Sequence, residues 1–294
     1  MKLSFLSIYL VWIATGLAAA PAVAQSAIEV QKKAAEARYY ESLVEYEKIP
    51  RSRVGSETAL AAARSAWALG LSDRAAEEFD LALRSEDLTE EKRARIMLSR
   101  GIVELQEGRQ QSACLFAQKV TETLPEPGPL RSQAFLLWGQ ALLAQGAVSA
   151  AEEKLTFALS ESSPGDMPEI HFQLGECQFQ LGKYEEARKH FESVPVHMER
   201  TPASIRYLAM IALQLKKPSI AAFWLDKGRA EFPDNFLDSW VDYALTQVAI
   251  SQNDRSRVKT LREQAAARYP QNDSWVVLLN AAAESFEWTK GEAP

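Results

Sequence analysis

The chain has 294 residues, 47% hydrophobic and 24% charged, with a formal net charge of −6, an ordinary globular composition that excludes intrinsic disorder. Lys2 is the only charged residue before Gln25, so a chain beginning there carries −7. That balance argues against nucleic acid or an anionic lipid surface as a partner.

The first element is MKLSFLSIYLVWIATGLAAAPAVAQ: one Lys, an apolar run from Phe5 to Ala20 broken by Gly16, then Pro21 and the small triplet Ala22, Val23, Ala24. This is the pattern of a cleavable secretory signal over 1–24, with cleavage expected between Ala24 and Gln25; an uncleaved anchor is the alternative. No cysteine stands near that site to take a lipid, and no later stretch is long and apolar enough to span a bilayer. The mature form is therefore expected not to span a membrane, and export of this kind points to the periplasm of a Gram-negative bacterium. Residues 25–55 come next. Ile28 to Lys48 reads as one helix with Tyr39, Leu43 and Tyr46 on one face, followed by KIPRSRVGS as a linker.

From Ser56 onward the chain is helical and repeats. Apolar residues recur at helical spacing, turn residues fall every ten to fifteen positions, and no strand-like alternation is sustained. A triplet of small residue, aromatic or Leu four later, and small residue three after that appears as Ala75, Phe79, Ala82; Ala151, Leu155, Ala158; Ala187, Phe191, Val194; and Ala221, Leu225, Gly228. Ala113 and Val120 fit with Phe116 one position early, and Val258 and Ala265 fit with Leu261 early. Between successive first members the intervals are 38, 38, 36, 34 and 37 residues. Twelve residues before each first member stand Ala63, Gly101, Gly139, Gly175, Ala209 and Thr246. Each unit is then a pair of antiparallel helices, A and B, whose backbones approach closely at the small sites. Gly70, Gly108, Gly146 and Gly182 fall between A and B, where glycine can take the left-handed conformation that ends a helix.

These residues resemble the tetratricopeptide repeats, whose unit of roughly 34 residues carries small and aromatic residues in this order. The best single match is Leu174 and Gly175 with Gly182, Lys183, Tyr184, Ala187 and Phe191, and Pro125, Pro233 and Pro270 fall at unit ends. The resemblance covers Ser56 to Pro270 in six units, departing from the family in the linker LPEPGPL and in the last unit. It implies an all-α fold, a right-handed superhelical solenoid of antiparallel helix pairs spanning 56–270. Ser274 to Thr289, within the closing segment 271–294, reads as a capping helix with Val276, Leu279, Ala283 and Phe286 as its stripe.

The sequence offers little chemistry. His171, His190 and His197 are wrongly spaced for a metal site, and Cys114 and Cys177 lie two units apart, so buried free thiols are expected instead of a disulfide. No phosphate loop, nucleophile elbow or HExxH stretch is present. No catalytic residue, metal or cofactor is expected, and the chain reads as a binding protein.

In the family, helix A lines the concave side. That places Leu60, Trp67, Leu98, Leu105, Leu136, Leu143, Phe172, Phe179, Tyr207, Met210, Leu213, Tyr243 and Ile250 in a partner groove, with polar relief from Arg64, Gln106, Gln140, Glu176, Gln180, Arg206, Gln214 and Gln247. The same residues could instead serve the core. The Lys and Asn with which some relatives clamp a C-terminal carboxylate are absent from this face. The expected function is a periplasmic adaptor or scaffold that binds a segment of another envelope protein within a pilus, secretion, polymer-export or cell-wall assembly. The alternative is a polysaccharide-binding export factor, with Trp67, Phe172, Phe179, Trp240 and Tyr243 stacking on sugar rings.

Overall fold

A computed structural model describes residues 22–289, and every regular element among them is a helix. The expected leader up to Pro21 lies outside the described residues. Helix α1 is described over 22–35, and α2 is Tyr39–Tyr46. Six longer hairpins follow: α3 Ser56–Ala68 with α4 Ser72–Leu83, α5 Glu90–Gln106 with α6 Gln110–Thr123, and α7 Pro129–Ala144 with α8 Val148–Glu161. Then come α9 Met167–Gln180 with α10 Tyr184–Glu192, α11 Thr201–Gln214 with α12 Pro218–Glu231, α13 Ser239–Ser251 with α14 Arg255–Arg268, and the closing α15 Ser274–Thr289. The chain divides after Ser162 into two compact units.

Local chemistry starts and stops these helices. Thr89, Asp238 and Asp254 accept from the backbone N–H of the third residue on, capping α5, α13 and α14. Proline opens α7, α9, α11 and α12, where its missing N–H costs nothing. Every A-to-B turn closes in one way. A residue at positive φ is followed by one whose N–H donates to the carbonyl five residues back, as in Lys183 N to Gln178 O at 2.8 Å beyond Gly182. Glycine supplies that φ at 70, 108, 146 and 182, whereas Lys216 and Asn253 supply it at 55° and 57° in the last two turns.

The same closure corrects the N-terminal reading. Ile28 to Lys48 is not one helix, because Ala37 takes a φ of 57° and Arg38 N donates to Lys33 O at 2.9 Å, folding α1 and α2 into a hairpin. Val30, Ser42, Tyr46 and Ile49 stand in the register of the later units, with Ser42 twelve residues beyond Val30 and Tyr46 and Ile49 four and seven beyond Ser42. All four are buried, and Ser42 Oγ donates to Val30 O at 2.9 Å across the hairpin. Residues 22–49 are a seventh helix pair.

In the first unit, Val30, Leu43, Tyr46, Ala63, Ala75 and Phe79 share one core, and Leu98, Ala113, Ala117, Val120 and Leu137 form the next. In the second, Phe172, Ala187, Phe191 and Leu208 form one cluster, and Ala209, Leu225, Phe236, Leu245 and Phe286 another. The packing glycines touch bulky neighbours. A Cβ on Gly139 would lie 2.6 Å from Leu155 Cγ, one on Gly175 2.8 Å from Phe191 Cζ, and one on Gly101 2.8 Å from Leu137 Cδ2. Each bulky partner, fully buried, contributes about 1.5–3 kcal/mol through burial. Phe236 does the same for Gly228: it is fully buried and its ring fills the place of the missing side chain.

Three carboxylates are buried within this framework, each met by arginine. Glu78 is held by Tyr46 and Arg51, Glu104 by Arg100 and Arg109, and Asp242 by Arg229 at 2.5 Å and Arg268 at 3.4 Å. Burial pushes Glu104 up, but the hydrogen bonds from Arg109 and Arg100 outweigh it and hold its carboxyl below the usual range. Losing one partner of such a pair costs about 3–5 kcal/mol, because a bare charge then stays buried. Neither cysteine is in a disulfide; Cys177 is buried as expected, whereas Cys114 is half-buried and accepts from Gln145 Nε2 at 3.6 Å.

Candidate partner-binding clefts

Helix A of each pair turns its small residue toward helix B, so residues three before and four after it fall to one side of that contact. In the first unit this side opens into a cleft of about 520 Å³ lined by α1, the start of α2, α3 and Ser99 of α5. Leu60 and Trp67 are in its wall, with Gln31 and Tyr39 opposite. The indole is fixed by its Nε1–H, which donates to Gln106 Oε1 at 2.7 Å. Arg64 is exposed between this cleft and a smaller one of about 400 Å³ that reaches Lys92 and Arg95.

The second unit has a cleft of about 630 Å³ between the inner faces of α11, α13 and α15. Met210, Leu213, Trp240, Tyr243 and Trp275 supply its apolar wall, and Gln214 and Gln247 its amides. Trp240 is backed by the Arg206 guanidinium, 5.0 Å from the ring centroid, and Arg206 is itself held by Asp238 and the Asn235 carbonyl. Tyr243 leans on Trp275 at a centroid distance of 5.3 Å, and Trp275 keeps 39% of its surface exposed. The A-to-B turn carrying Lys216 and Lys217 forms the rim.

Some expected groove residues do not reach either cleft. Phe172 is only 3% exposed and Leu98 only 7%, so both belong to the core and neither can anchor a partner. Phe172 is covered because Tyr207, from the next A helix, lays its ring against it at 6.1 Å and stacks on Phe191 at 4.6 Å. Tyr207 also meets Phe179 edge-on at 5.2 Å, so this aromatic group is filled from within. Its hydroxyl donates to Glu176 Oε1 at 3.0 Å. Burial raises the Glu176 carboxyl, which the Tyr207 hydrogen bond and the Arg200 charge only partly offset, and burial raises the Tyr207 phenol as well. Leu105, Leu136 and Leu143 are half-buried and line neither cleft.

Two features escaped the sequence. Trp275 stands one position before the stripe of α15, which gave that helix only a capping role. His171 and His190, 19 residues apart, meet across the α9/α10 hairpin with their Nδ1 atoms 2.8 Å apart. Burial lowers the His171 imidazole, consistent with a packing pair that shares one proton.

Family models for tetratricopeptide repeats match residues 60–125 and 142–202. Over those two stretches the chain carries tetratricopeptide repeats. Among solved structures it is similar to Pseudomonas aeruginosa PilF, with a TM-score of 0.58 and 16% identity over 74% of this chain and 95% of that one. A tetratricopeptide repeat protein from Parabacteroides merdae has a TM-score of 0.56 at 13% identity, over 81% of this chain and 87% of that one. A MamA structure has a TM-score of 0.51 at 13% identity, over 58% of this chain and 95% of that one. At such identities the likeness shows the fold. No curated protein sequence matches the chain. The repeat fold is that of a protein-interaction scaffold, and no enzyme family is indicated.

Proposed function

We propose that this protein is an exported adaptor that holds a segment of another cell-envelope protein against the inner faces of its A helices. The observation that carries the reading is the second-unit cleft, where Trp240 and Tyr243 from the A helix α13 and Trp275 from the closing helix converge without being consumed by the core. Aromatic side chains clustered in a concave site are the groups that carry most of the energy in protein interfaces. Export is supported by the sequence up to Gln25, and the envelope is the compartment that follows from it.

A photo-crosslinking residue placed at Gln247, inside the cleft, and at Phe223, which is 59% exposed on the B helix α12, tests the surface. The adaptor reading expects a discrete cross-linked partner from Gln247 in living cells and none from Phe223. Cross-links from Phe223 alone would move the binding face to the B helices. Mass spectrometry of the purified native protein tests export, since a mature N-terminus at Gln25 supports it and one at Met1 overturns it.

A further inference from the structure

The chemistry around the second-unit cleft says what kind of segment it accepts. The chain as a whole is acidic, with a formal charge of −6, yet no Asp or Glu lines this cleft and two lysines do. Lys217 is already paired, its Nζ lying 2.8 Å from Glu185 Oε1. Lys216 is exposed and meets no carboxylate among the described residues. It also holds the left-handed backbone conformation, φ 55°, that four of the equivalent turns give to glycine. That conformation is strained for a residue with a Cβ, and strain retained beside a candidate site is a pointer to use.

We propose that the cleft takes an internal segment of a partner protein in which a bulky apolar side chain stands beside one or more carboxylates; this rests on the adaptor reading above. The apolar group enters among Met210, Trp240 and Tyr243, where a flexible thioether beside aromatic rings adapts to its shape. The neighbouring Asp or Glu of the segment meets the Lys216 ammonium at the rim. Gln214 and Gln247 each offer a donor and an acceptor, which suits a peptide backbone running on through the cleft. A lone ammonium on a long stem is a point charge that meets any carboxylate, and it does not require a chain terminus.

The probes are fluorescein-labelled nonapeptides, acetylated and C-terminally amidated, with Phe, Leu or Gly at the centre and Glu, Gln or Lys on either side, read by polarisation against the full mature protein. Tightest binding is expected for Phe or Leu flanked by Glu, weakening with added salt as a rim charge contact must. Lys216→Glu is expected to weaken those probes by about tenfold while leaving the melting curve in place, a loss in the range of reversing one interfacial charge. Lys216→Gly removes the charge without reversing it, so its loss should be smaller and its salt dependence flatter. Equal binding of Glu- and Lys-flanked peptides, or an unchanged affinity in Lys216→Glu, would overturn the proposal. Neutral peptides bound as tightly as acidic ones, with Gln247 still cross-linking in cells, would remove the charge preference and leave the adaptor. Binding of polygalacturonate and of no peptide would overturn both in favour of an acidic glycan.

Discussion

Replacing Gly175 by Ala sets two known effects against each other at one atom. Alanine gains about 1 kcal/mol over glycine inside a helix, and α9 is regular through this position. Against that, the new Cβ would stand 2.8 Å from Cζ and 2.9 Å from Cε1 of Phe191. That ring cannot swing away cheaply: it is 1% exposed, stacked on Tyr207 at 4.6 Å and edge-on to Phe172 at 5.7 Å. Overpacking of this kind costs about 1–3 kcal/mol, so the net expectation is a loss of roughly 0–2 kcal/mol, and a larger one for Gly175→Leu. Urea titrations of Gly175→Ala, Phe191→Leu and the double variant isolate the contact. Leucine at 191 shortens the side chain that the Cβ meets, so Gly175→Ala should become favourable in that background, with a coupling of about 1–3 kcal/mol. Gly182→Ala is the control for the other kind of glycine: nothing stands within 4 Å of its missing Cβ, but its φ of +73° should cost about 1–2 kcal/mol. If Gly175→Ala stabilised the protein equally with and without Phe191, the claim that the ring sets the helix spacing would be refuted.

Lys216→Gly should raise stability by roughly 0.5–1 kcal/mol, the relieved left-handed strain less the added freedom of the unfolded chain, and a thermal melt reads it. The Glu176 carboxyl is raised by burial, so the native state binds the proton more tightly than the unfolded one, and stability should fall as pH rises from the ordinary carboxylate range through the raised value. Glu176→Gln keeps an acceptor for Tyr207 and should remove that slope in denaturant titrations across pH. His171 is lowered by burial, so its contribution is present above the usual imidazole value near 6.5 and is lost as pH falls from there through the depressed value. In His171→Gln that acid-side loss should shrink, and an unchanged profile would show that the His171 to His190 contact carries none of it.

The six longer hairpins were legible because their signals are steric and local. A small residue where two backbones touch and a bulky one opposite recur at a period that one sequence displays by itself, and a glycine at positive φ marks the first four of the turns. The α1/α2 hairpin was not legible because it uses the same register with different residues. Val30 stands where the others have a small residue or Thr246, Ser42 replaces alanine, and Ala37 turns without glycine. The candidate site was legible only in part. Leu60, Trp67, Met210 and Tyr243 do line clefts, whereas Phe172 does not, since its exposure is decided by Tyr207, 35 residues further along the chain. Trp275 lay outside the repeat and had no register to give it away.

One register position shows why exposure does not follow from the repeat. The residue three before the small site of helix A is Leu60, Leu98, Leu136, Phe172, Arg206 and Tyr243 in chain order. Leu98 and Phe172 are core, while Leu60 and Tyr243 face clefts. For Phe172 and Tyr243 the difference lies in what the next helix packed beside each one presents. Beside Phe172, α11 presents Tyr207, a ring large enough to fill the space and a hydroxyl that answers Glu176. Beside Tyr243, α15 presents Trp275, whose ring leans on it at 5.3 Å but keeps 39% of its own surface exposed, so the two rings form a wall and not a filled core. Arg206, in the Phe172 position of α11, has been turned from packing to support: it lies over Phe236 and Trp240 and is fixed by Asp238. The repeat thus supplies equivalent positions, and whether the neighbouring ring is itself packed inward, as Tyr207 is, or left exposed, as Trp275 is, decides which becomes core and which becomes cleft. In the second unit that choice falls beside the strained Lys216 turn, so the aromatic wall and the free ammonium are placed together by two departures from the repeat rather than by the repeat itself.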